Sequence, residues 1–230
     1  MNDDQGTPIF DSRLRVDEKE LEESRELRAA VTDISDQLKL LATENRLRLL
    51  LKRVDVRPDG DQCSIAATTF RLAGAPHPDC VFSWAVLSLD LSPTPGAIAL
   101  GIEPTSEDAV KMNVSRNATP SIKASFSEAS LEASLGGKKE VQYEFTRPQL
   151  SGVNFENRVM WTFVAPAEES DLLLDHDLTL RTRFPVAPPN LRALVTIKAR
   201  VAFRGYKGWI PLIGRQTADE ELIVSLDRLD

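Results

Sequence analysis

The segment Asp171–Arg204, DLLLDHDLTLRTRFPVAPPNLRALVTIKARVAFR, decides the fold class. Leu172, Leu174, Leu178, Leu180 and Phe184 share one parity in its first half. Leu191, Ala193, Val195, Ile197, Val201 and Phe203 share one parity in its second. Successive side chains of a strand point to opposite faces, so each half reads as a strand with one buried face. Pro185 to Asn190 is a turn-forming stretch, which predicts an antiparallel hairpin across it. With Phe184 opposite Leu191, the apolar face reads Leu180 with Val195 and Leu178 with Ile197. The outer face then sets Asp177 against Lys198 and Asp175 against Arg200. Opposite charges across strands contribute roughly 0.2 to 1 kcal/mol each, so both faces favour that register.

The two-residue period extends in both directions from this segment. Cys63–Leu72, Val153–Ala165 and Glu221–Leu226 alternate in the same way. Val81–Leu91 is apolar on both faces, with Phe82, Trp84 and Val86 set against Ala85, Leu87 and Leu89, as a central strand covered on both sides would be. Pro58-Asp59-Gly60 and Pro93-Thr94-Pro95-Gly96 are turns. Shorter runs stand at Ala97–Ile102 and Ala109–Val114. Ser121–Phe126 and Ala129–Leu135 are amphipathic, with a phase change near Ser127, and Gly136-Gly137 leads into Glu140–Thr146. Roughly ten short strands separated by Gly and Pro turns predict a mainly β protein, an antiparallel β-sandwich over residues 45–230.

Ahead of the sandwich the period changes. Residues 1–16 are polar and aperiodic and are expected to be disordered. A long helix is expected over 17–44, started by a capping pattern at Asp17 and Glu20. Leu27, Val31, Ile34, Leu38 and Leu41 follow the 4-3-4-3 rhythm of a coiled-coil seam. The seam predicts a homo-oligomer joined through this helix, with docking onto the chain's own sandwich as the alternative.

Composition narrows the function. The net charge of −7 argues against general nucleic-acid binding, since phosphate contacts need a basic face. The acidic, polar start at Met1–Gly6 and only two cysteines, Cys63 and Cys80, predict a cytoplasmic protein with reduced thiols, in which the Asn113 and Asn117 glycosylation patterns are chance. No apolar run is long enough for a membrane helix, and no membrane partner is expected.

Candidate chemistry is sparse. His176 stands between Asp175 and Asp177, but strand parity turns both carboxylates away from its ring and sets it against Ala199. Cys63, His77 and Cys80 lack a close cysteine pair and a fourth ligand, so no metal is expected. The acidic run Glu168, Glu169, Asp171, Asp175 and Asp177 matches no calcium loop. No nucleophile motif, Walker loop or dinucleotide turn occurs, so neither an enzyme nor a cofactor is expected. Two surfaces remain. Arg183 and Arg192 would make like charges at the hairpin's loop end, beside Arg181, Lys198, Arg200 and Arg204. Tyr206, Lys207 and Trp209 lie in Gly205–Gly214, and such amphipathic aromatics favour interfaces. The expectation is a non-enzymatic, oligomeric interaction module for an unidentified protein. A small-ligand or glycan-binding sandwich using Tyr206 and Trp209 is the alternative. Membrane insertion through the Ser121–Leu135 alternation is the third reading, weakened by an apolar face that is mostly alanine and serine.

Overall fold

A computed structural model describes residues 6–17, 19–20, 42–117, 140–165, 172–186, 191–204, 209–214 and 222–226. They form thirteen strands: β1 (Thr7–Arg13), β2 (Arg15–Val16), β3 (Arg46–Pro58), β4 (Cys63–Ala75), β5 (Cys80–Asp90), β6 (Ile98–Glu103), β7 (Ser106–Asn117), β8 (Glu140–Phe155), β9 (Arg158–Val164), β10 (Asp175–Pro185), β11 (Arg192–Phe203), β12 (Trp209–Gly214) and β13 (Leu222–Ser225). One sheet runs β1-β3-β4-β10-β6, the other β2-β12-β11-β5-β9-β8-β7, with β13 also on β11. The registered pairs are antiparallel. The chain divides into two compact units, Met1–Asp108 with Gln149–Asp230, and Ala109–Pro148.

The mainly β, antiparallel expectation holds. The first unit is built by alternation: β11 reads exposed or half-buried at every second residue and buried between, from Arg192 to Phe203. Phe70, Leu72, Leu178, Leu180 and Phe184 of the first sheet form one core with Phe82, Leu87, Leu89, Trp161, Phe163 and Ile197 of the second. Each large apolar side chain buried this way contributes about 1.5–3 kcal/mol against the entropy of ordering the chain.

The expected hairpin across residues 185–190 does not form. β10 pairs with β4 and β6 in the first sheet, whereas β11 pairs with β5, β12 and β13 in the second. Both segments turn the predicted apolar face to the core, but from opposite sheets. Parity fixes which face is buried and is silent about the partner. The charges were equally indifferent: Arg71 on β4 pairs with Asp175 at 2.8 Å, and Lys52 on β3 reaches Asp177 at 3.1 Å. The strand partner of His176 is Leu72, not Ala199.

Two further expectations are corrected. Val81–Leu91 is central, between β11 and β9, but Phe82 does not share a face with Trp84 and Val86. The register with β11 shifts between Arg200 and Val201, setting Phe82 beside the inward Val201 and Trp84 beside the outward Arg200. This bulge at Ser83 resets the parity within the strand. Residues 7–16 are strands rather than disordered chain: β1 pairs with β3, β2 pairs with β12, and Phe10 and Leu14 are buried. Two apolar anchors are enough to seat a polar segment.

The helix over 17–44 is not supported, because no helical element stands among the described residues. The seam residues Leu27, Val31, Ile34, Leu38 and Leu41 lie outside them. The cap itself is present: the Glu20 N–H donates to Asp17 Oδ1 at 3.2 Å. Just after the undescribed stretch, buried Asn45 ties three segments together. Its Nδ2 donates to Ala42 O at 2.8 Å, its Oδ1 accepts from His77 N at 2.9 Å, and its carbonyl accepts from Leu14 N at 3.0 Å.

The two sheets of the first unit are stitched at one corner. Ala99 N donates to Glu156 O at 2.6 Å, Asn154 Nδ2 to Ala99 O at 3.1 Å, and Trp161 Nε1 to Pro104 O at 3.2 Å. Gly152 lies there because a Cβ would meet Ile102 Cδ1 at 2.7 Å and the Pro104 carbonyl oxygen at 2.8 Å. The carbonyl belongs to the backbone and cannot swing aside. Gly152→Ala should therefore destabilise the protein by about 1–3 kcal/mol, lowering the midpoint of a thermal melt by roughly 2–4 °C per kcal/mol. An unchanged midpoint would show that the corner is looser than described.

Candidate functional site

Trp209 does not stand open to a ligand. On β11, Lys198 and Arg200 point away from the core, between inward Ile197, Ala199 and Val201. Trp84 on β5 and Pro211 on β12 are the cross-strand partners of Arg200, and Trp209 is that of Ala202. The Arg200 guanidinium carbon lies 4.7 Å from the centroid of the Trp84 ring and 4.1 Å from that of Trp209. The cation thus fills the gap between two indole faces, a stabilising contact in which the guanidinium is sheltered from water. The same cation reaches Glu20 Oε1 from Nη2 at 3.1 Å, while Lys198 Nζ reaches Asp17 Oδ2 at 3.0 Å and Glu20 Oε2 at 3.3 Å. Asp17 N donates to Pro211 O at 2.9 Å, which fixes the acidic segment over the sheet. Burial opposes the charge on Lys198, but the two carboxylates outweigh it and raise the ammonium's pKa above its ordinary value. The cluster is a stitch holding the N-terminal segment down.

The other candidates scatter. Tyr206 and Lys207 lie outside the described residues, as do Glu168, Glu169 and Asp171. Arg183 is on the first sheet, paired to Asp59 at 2.8 Å. Arg192 opens β11 on the second, its backbone N donating to Thr94 Oγ1 at 2.7 Å. The expected like-charge pair does not exist. Cys63 begins β4 and His77 and Cys80 follow its far end, about 40 Å of extended strand away, so the three cannot share a metal. The thiol pKa of buried Cys80 is pushed up by burial, so it is a poor nucleophile. The His176 ring sits 5.3 Å from that of Phe163, with Nε2 at 3.2 Å from Leu173 O. Hydrogen bonding from Arg71 holds the Asp175 carboxyl below its ordinary range, away from any base role beside His176.

The second unit carries a different kind of site. β7 and β8 are neighbours, and between Asn117 and Glu140 lies the amphipathic stretch that sequence analysis singles out, outside the described residues. The alternation of that stretch continues in phase into both strands. Val110, Met112, Val114, Ala118, Ile122, Ala124 and Phe126 share one parity. After a turn at Ser127-Glu128, Ala129, Leu131, Ala133, Leu135, Val141, Tyr143 and Phe145 share the other. A two-residue turn there sets Phe126 opposite Ala129, Ile122 opposite Ala133, Val114 opposite Val141 and Val110 opposite Phe145. All the apolar residues then fall on one face. Lys123 falls opposite Glu132 on the other face, among Thr119, Ser121, Ser125, Ser130 and Ser134.

No protein-family profile matches the chain, and no curated protein matches it. Among solved structures it is similar to Clostridium perfringens delta-toxin, at 10% identity over 78% of this chain and 88% of that one, with a TM-score of 0.31. It is also similar to the NetB toxin of Clostridium perfringens in the membrane inserted form, at 7% identity over 79% and 88%, with a TM-score of 0.26. Both scores are too low to show a shared fold.

Two measurements check the site. Trp209→Ala should cost about 1–2 kcal/mol in a urea melt by removing one wall around Arg200. No loss would mean the indole does not hold the cation. The depressed pKa of Asp175 contributes stability that is fully present above the ordinary carboxylate value of 3.8 and is lost as pH falls through the folded value. Asp175→Asn should therefore flatten the acid limb of melting temperature against pH. An unchanged limb would place the acid sensitivity elsewhere.

Proposed function

We propose that this protein is a non-enzymatic, self-assembling protein whose segment 109–148 inserts into a lipid bilayer as a β-hairpin. One observation carries the reading: adjacent strands β7 and β8 bracket a segment whose two-residue alternation runs in phase with both of them. A membrane strand needs about 9–11 residues, alternately facing lipid and lumen. Ala118–Phe126 and Ala129–Gly137 supply about nine each. Arg116 falls opposite Lys139 on the apolar face, and a cationic pair at that point marks where the lipid-facing band stops. The opposite face is small and polar, suited to line water, and Lys123 with Glu132 is a cross-strand pair. Pro120 lacks one ladder N–H, a cost in an otherwise regular strand.

Self-assembly follows from the backbone. A lone hairpin has two free edges, and unpaired N–H and C=O groups are not tolerated in hydrocarbon. Closure needs strands from other copies. Transmembrane barrels have at least 8 strands, so about four or more chains must contribute a hairpin each. This supports an oligomer without the coiled coil that the sequence suggested, and it reverses the expectation of no membrane partner. The weak alanine-rich face, set against this reading when the stretch is taken alone, gains Val110, Met112, Val114, Val141, Tyr143 and Phe145 once both strands are included.

The parity of substitutions tests the reading. Leu131→Arg puts a charge on the lipid face, at about 2–4 kcal/mol near the bilayer midplane. It should abolish dye release from phosphatidylcholine–phosphatidylglycerol vesicles. Ser130→Arg, one residue away on the lumen face, should keep the release. Equal effects of the two substitutions, or no release by the unaltered protein, would contradict the proposal.

A further inference from the structure

Four of the exposed large apolar side chains of the first unit flank the stitched corner. Ile98 and Leu100 of β6 are 38% and 44% exposed, and Val153 and Phe155 of β8 are 38% and 59% exposed. The bonds from Ala99 to Asn154 and Glu156 bring these two pairs to the same place. Beside them are exposed Glu103 and Glu156, with no basic side chain in salt-bridge distance of either among the described residues. Single exposed apolar residues need no explanation, but an apolar group with an acidic rim is the anatomy of a contact surface.

The opposite edge of the first sheet has the complementary charge. At β1 and the start of β3, Arg13, Arg15, Arg46 and Arg48 face only Asp11 and Glu44 as acidic neighbours: Arg46 and Arg48 both pair with Asp11, at 2.7 and 2.9 Å, and Arg13 pairs with Glu44 at 2.8 Å. Three strands separate β1 from β6, so the two edges lie roughly 19 Å apart and cannot meet within one chain. We infer that the facet formed by Ile98, Leu100, Val153 and Phe155 binds a second copy of this chain at its basic β1 edge. Such a contact is head-to-tail and leaves the same two surfaces free at the ends of every dimer, so it propagates, and it closes into a ring if the rotation permits. The inference deepens the proposed function, and rests on it for the need of several copies.

The test uses the full chain on phosphatidylcholine–phosphatidylglycerol vesicles, with amine cross-linking read beside dye release. Leu100→Glu combined with Phe155→Glu alters exposed positions, so the melting temperature should hold. The cross-linked ladder should collapse to monomer, and release should fall roughly ten-fold or more, since each charge is desolvated at the contact. Glu103→Arg with Glu156→Arg, which repels the basic edge, should do the same. An equimolar mixture of the Leu100→Glu/Phe155→Glu chain with an Arg13→Glu/Arg46→Glu chain retains one working contact and should stop at two copies. A full ladder in either facet variant overturns the inference. If the unaltered protein releases dye while the facet variants keep their ladder, the facet fails alone. If it releases none but forms a ladder that the facet variants abolish, the facet stands and the membrane reading fails. If it forms no ladder, both fall.

Discussion

A β-strand exposes a row of N–H and C=O groups along each edge, and every one must find a partner in protein or water. That requirement organises the described part of this molecule. The N-terminal segment closes the β3 edge of one sheet as β1, then crosses to close the β12 edge of the other as β2. At the far side, Asn154 and Glu156 bind the backbone of Ala99 at the outer edge of β6. The hairpin segment is the exception. Its alternation demands a dry face, its two strands offer one shared ladder, and its outer edges have no partner of their own in a bilayer. Assembly is what the same rule imposes when water is removed.

Electrostatics supports this arrangement without driving it. The pairs on the first sheet, Arg71 with Asp175 and Lys52 with Asp177, are partly exposed and contribute little each. They fix register across a face that has no apolar pattern. The cluster of Trp84, Arg200 and Trp209 with Glu20 is more enclosed, and it holds the segment that closes the β2 edge. Charge here selects among geometries that burial alone would leave equal. The same division would hold between copies, with Phe155 and Leu100 supplying contact area and the glutamates against the β1 arginines supplying orientation.

What could be read from the sequence was whatever alternation encodes locally. The strands of the first unit and their buried faces were visible in residues such as Leu178, Leu180, Val195 and Ile197. Their partners were not: β10 and β11 looked like one hairpin because each presents an apolar face and a charged face, and the same side chains are buried whether the strands are neighbours or lie across the core. Phe82 was put on the wrong face because a bulge at Ser83 leaves no mark in composition. Phe10 and Leu14 were overlooked because two anchors make no period. Trp209 was correctly singled out as unusual, but its occupant, Arg200, comes from a neighbouring strand at a distance in sequence that parity cannot bridge. The stretch from Ser121 to Leu135 looked weak in isolation and gains its meaning from β7 and β8 on either side.

The central claim is that alternate residues of segment 109–148 face lipid. Single cysteines placed in turn at residues 121–135, in a chain whose Cys63 and Cys80 are replaced by alanine, can carry a polarity-sensitive fluorophore. On vesicles the account predicts emission that alternates residue by residue, apolar at Ile122, Ala124 and Phe126, then at Ala129, Leu131 and Ala133, with the phase changing across Ser127-Glu128. A flat profile, or one repeating every three to four residues, would contradict it.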